Sequence, residues 1–163
     1  MKLAAEAPLW LALIFALLLV AGAAEDAARL RISNLTCGLI LIGAIVAMAV
    51  VGPELRVWQN FAVLGFLLAA GTPLFAAGKM GGGDVKLFAA SGLWFDIQGG
   101  VLLLMSVLIS GGVLALVILG LRMIGWSESI LARVQVLRAR AGIPYGVAIA
   151  AGAVIATATL RNG

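Results

Sequence analysis

Six apolar runs, each separated by a short polar or glycine-rich break, dominate this chain and restrict what it can fold into. Pro8 to Ala24, Leu35 to Val51, Phe61 to Ala77, Gly99 to Ile124 and Ile143 to Leu160 are each long enough, or nearly so, for a bilayer helix of about 20 residues. Val85 to Phe95 is apolar but shorter. Of 163 residues, 64% are apolar and 11% charged, so one small fold cannot hide the apolar surface from water. The solvent is lipid, and backbone groups in lipid must be hydrogen-bonded within the segment, which makes the runs helices. The expectation is an all-α, polytopic membrane protein with six transmembrane helices, forming one membrane-embedded domain over residues 1–163.

Basic residues orient the spans. Arg29 and Arg31 follow the first, Lys79 and Lys86 follow the third, and Arg122, Arg133, Arg138 and Arg140 follow the fifth. Only Lys2, Arg56 and Arg161 of the eleven basic residues fall on the other side. Positive charge stays inside, so the first side is cytoplasmic. This alternation holds only if Val85–Phe95 crosses. Trp126, Ile130, Val134 and Leu137 recur at helical spacing among arginines, which predicts an interfacial helix over Trp126–Arg140 on that side. Ala21-Gly22-Ala23-Ala24 is similar to a signal-peptide cleavage site. Cleavage there would leave five spans and upset the charge bias, so the first span is expected to be retained.

The chain has no histidine and one cysteine, Cys37. That excludes Ser-His catalysis, an internal disulfide and a cysteine metal cage. Net charge of +4 reports topology here, and no nucleic-acid partner, metal or cofactor is expected. Among the acids, Asp26 ends the first span and Asp84 opens the fourth, both at the cytoplasmic boundary. Ionisable groups at membrane depth cost roughly 2.5–3.5 kcal/mol on insertion scales and mark function by default, although a helix cap is the plain alternative. Gly81-Gly82-Gly83 before Asp84 would allow positive φ or close approach of another chain. Two aspartates sharing a proton can hydrolyse a peptide, one activating water and the other donating to the carbonyl.

Met80-Gly81-Gly82-Gly83-Asp84-Val85-Lys86-Leu87 resembles the GxGD region of type IV prepilin peptidases. Asp26, eight residues before Asn34, resembles the family's first aspartate motif, with Ser33 in place of its proline. Ile143-Pro144-Tyr145-Gly146 resembles its third signature. The resemblance implies an aspartic endopeptidase with Asp26 and Asp84 catalytic. Gly81, Gly82, Gly83 and Lys86 would lie in the substrate loop, and Asn34, Pro144, Tyr145 and Gly146 would be structural. It implies prepilin as partner, both leader peptide and adjoining apolar helix, together with the lipid bilayer and a pilus assembly machinery. The location implied is the bacterial inner membrane, with the site facing the cytoplasm. Lacking the four-cysteine methyltransferase insertion, the chain is similar to the short branch that serves Flp/Tad pili. A proton-coupled transporter subunit using the aspartates as a relay, and a non-enzymatic assembly protein of a secretion machine, are the alternatives.

Overall fold

The computed structural model describes residues 1–52, 54–127, 130, 134–138 and 142–163. Its helices are α1 (Leu3–Glu6), α2 (Leu9–Arg29), α3 (Asn34–Val51), α4 (Trp58–Ala76), α5 (Gly82–Gly92), α6 (Ile97–Met123) and α7 (Tyr145–Asn162), with a 3-10 turn at Gln135–Leu137. Among the described residues there is no strand. The all-helical expectation is met. Four helices, α2, α3, α4 and α6, are long and apolar enough to cross a membrane. The count of six is not reached on that basis, for two physical reasons. α5 has 11 residues and is about 16 Å long, roughly half a hydrocarbon core. α7 has 18 residues but ends in the polar pair Arg161-Asn162. The helix expected over Trp126–Arg140 falls partly outside the described residues, and its described part includes the 3-10 turn at Gln135–Leu137. Within it, Arg122 reaches back from α6 to the Val136 carbonyl at 2.8 Å.

The shortness of α5 is compensated by what lies beneath it. Leu93, Trp94 and Phe95 turn off its end and are fully buried. The Trp94 ring stacks on Phe15 of α2 at 4.3 Å, and its indole N–H donates to the Ile40 carbonyl of α3 at 3.1 Å. Asn60 of α4 donates to the Leu93 carbonyl at 3.0 Å, and α1 tucks in below, with the Ala4 N–H on the Trp94 carbonyl at 2.9 Å. The polar groups beneath α5 are thus paired, as a lipid-embedded core requires.

Glycines set the close approaches. A Cβ at Gly152 would lie 2.6 Å from the Val107 backbone, so α7 lies directly on α6. One at Gly71 would meet Val85 at 2.7 Å, which brings α4 against α5. Small residues make such contacts possible where no hydrophobic effect drives helices together. α5 sits inside the bundle, against α3, α4 and α7.

Candidate active site

α2 ends in an unusual way. Leu30, its C-cap, takes the left-handed conformation at φ 52°, and its N–H closes on the Asp26 carbonyl at 2.8 Å. That position usually belongs to glycine. The chain then runs extended through Arg31 and Ile32 to Ser33, whose hydroxyl caps α3 by accepting from the Thr36 N–H at 3.1 Å. A serine at an N-cap satisfies one of the free N–H groups of the first turn. Glu25 anchors this strap from α2, accepting from the Ser33 N–H at 2.7 Å and the Thr36 hydroxyl at 3.0 Å. Glu25 is thus a structural anchor, although it stands next to Asp26 in the chain. Ser33 and Thr36, eight and eleven residues downstream, were the available signal for its anchoring role.

Asp26, one residue further on, faces the other way. It is buried, and its Oδ2 accepts from the Gly146 N–H at 2.7 Å. Gly146 lies in the first turn of α7, behind Pro144 at the N-cap and Tyr145. The N-terminus of a helix favours an anion through its free N–H groups and its dipole. A Cβ at Gly146 would stand 2.9 Å from Asp26 Oδ2 and 2.8 Å from Ile32 Cδ1, so no side chain fits there.

Asp84 is buried in the first turn of α5. One oxygen does helix-capping work, with Oδ2 accepting from the Gly81 N–H at 3.1 Å. The other, Oδ1, is buried and has no partner among the described residues. Buried polar atoms are rarely left so unless chemistry or water uses them. Asp26 is buried nearby, and two like charges enclosed together repel each other. Asp26 and Asp84 line one cleft of about 190 Å³ with Leu30, Arg31 and Ile32 on one side and Gly81, Gly82 and Gly83 on the other. At about 30 Å³ per water, this holds an attacking water beside a peptide group.

The glycines act by size. Gly82 and Gly83 belong to the first turn of α5, and the described positive-φ glycines are Gly52 and Gly78. Of the two uses open to these glycines, positive φ is not adopted at Gly81–Gly83. What Gly83 permits is close approach, since a Cβ there would lie 3.2 Å from the Ile32 nitrogen. Lys86 points away from the cleft and donates from Nζ to Asn34 Oδ1 at 2.9 Å, tying α5 to the start of α3. The structure thus gathers Asp26, Asp84, Gly81–Gly83 and Gly146 at one place, and puts Lys86 and Asn34 beside it as a clasp.

A family model described as the type IV leader peptidase family matches residues 13–120, which include Asp26 and Asp84 but stop short of Pro144 to Gly146. No curated protein and no solved structure matches the chain.

Proposed function

Since the chain belongs to the type IV leader peptidase family, a multi-pass membrane protease is the premise, and we propose that it is an aspartic endopeptidase using Asp26 and Asp84 to remove the leader of Flp-type prepilins at the cytoplasmic face of a bacterial inner membrane. In the proposed arrangement α5 and α7 add two crossings to the four long apolar helices, and both aspartates would then lie on the side richer in lysine and arginine.

The observation that carries this reading is that two buried carboxyls from distant helices open into one cleft, where like charges in contact cannot both ionise. The pair then holds one proton and one charge. Asp26, the charged member, takes a proton from water as its oxygen bonds to the scissile carbonyl carbon. Asp84 gives its proton to the carbonyl oxygen, and a tetrahedral diol forms. Collapse breaks the C–N bond. The proton held by Asp26 passes to the leaving nitrogen, and one diol proton returns to Asp84. The unpartnered Asp84 Oδ1 is the atom suited to face the substrate carbonyl. Gly146 holds Asp26 Oδ2, leaving Oδ1 for the water.

Purified protein in liposomes, given a prepilin precursor, tests the proposal. Leader release by the native chain and none by Asp84→Asn at equal membrane levels is the expected result. Release unaffected by that substitution would remove Asp84 from the chemistry.

A further inference from the structure

A long apolar groove on the lipid-facing side has no use in the chemistry above. α4 and α6 touch where Val63 meets Gly100, at which a Cβ would come within 2.8 Å. Towards the aspartates they splay apart. The gap holds a cavity of about 460 Å³ whose floor is made by α5 and α7. A second, of about 330 Å³, shares Phe66, Leu67 and Leu104 with it and continues the seam to Ile97. From Ile97 to Ala115 on α6 the combined groove runs about 27 Å at 1.5 Å per residue, close to the full hydrocarbon thickness of about 30 Å.

We infer that this groove seats the apolar transmembrane helix that continues from the scissile segment of the substrate, and so delivers the cleavage bond to the aspartates. The inference rests on the peptidase reading. Length is the first argument: a seam spanning nearly both leaflets matches a crossing helix, whereas one lipid chain reaches only about half the core. The lining is the second. Apart from Tyr145 it is wholly apolar, and Ala70, Gly111, Gly112, Ala115 and Ala148 leave backbone open to another helix. A Cβ at Gly112 would meet nothing within 4 Å, so the space above it is vacant. Position is the third. Met80 and Tyr145 line the groove at its deep end, and each directly precedes the glycine whose N–H holds an aspartate, Gly81 on Asp84 and Gly146 on Asp26. A helix seated there ends beside the cleft, where its extended continuation meets both carboxyls.

The test uses full-length protein in liposomes of phosphatidylethanolamine and phosphatidylglycerol. Two substrates are compared: an intact Flp-type prepilin precursor, and a soluble peptide spanning the cleavage bond without the apolar helix. Gly112→Leu projects a side chain into the groove from a position where a Cβ meets nothing within 4 Å. The ratio of precursor cleavage to peptide cleavage should fall at least tenfold. A second arm places a benzophenone amino acid at Gly112 in an Asp84→Asn background, where light should join it to the uncleaved precursor. An unchanged ratio, or adducts with lipid alone, overturns the groove. Failure of the native chain to cleave either substrate would overturn the peptidase reading instead, while the adduct still reports whether the helix docks.

Discussion

The N–H of Gly146 donates to Asp26 Oδ2 at 2.7 Å, across 120 residues of sequence, and it joins the first turn of the last helix to the last turn of the first long one. That contact fixes one carboxyl oxygen and aims the other at the cleft shared with Asp84. Gly146→Ala would push a methyl to within 2.9 Å of the carboxylate it serves. Leader release should drop at least a hundredfold, while Gly38→Ala, whose new methyl meets nothing within 4 Å, should leave release near native. Similar rates for the two would show that the close approach is unimportant.

Asp26→Asn and Asp84→Asn should each lower the cleavage rate by about three orders of magnitude or more, and the double variant should add little, because the two act as a unit. Single-turnover rates on one precursor measure this. Additive losses would mean the carboxyls work separately.

The cleavage rate should be bell-shaped against pH, because the pair must hold one charge and one proton at the same time. Single-turnover rates across pH measure this. A rate that only rises with pH would show that no protonated carboxyl is needed.

Lys86→Met removes the clasp to Asn34 and leaves both carboxyls in place. It should slow cleavage by less than tenfold, Asn34→Ala should match it, and the double variant should be no worse. Loss as complete as for Asp84→Asn would assign Lys86 a direct part.

Sidedness can be read by labelling. Cysteines at Arg31 and Ser127 in a Cys37→Ala background should react only with reagent on the cytoplasmic side. Labelling of either from outside would refute the six-crossing arrangement.

Helical character, lipid as solvent and the candidacy of Asp26 and Asp84 were legible in the chain itself, because hydropathy, basic-residue placement and short motifs are local properties. Other features needed three dimensions. Nothing local says that Asp84 Oδ2 caps its helix while Oδ1 stays free, or that Glu25 turns away to hold Ser33 and Thr36. Val85–Phe95 read as a span by composition, yet α5 covers only part of that depth. Trp94, Phe95 and α1 fill the remainder, an arrangement set by packing between segments far apart in sequence. The glycines before Asp84 were legible as special, but residue type alone left positive φ and close approach both open. Whether a missing side chain serves backbone torsion or close approach depends on what lies opposite, and the Ile32 strap comes to lie against Gly83 only once the helices have packed.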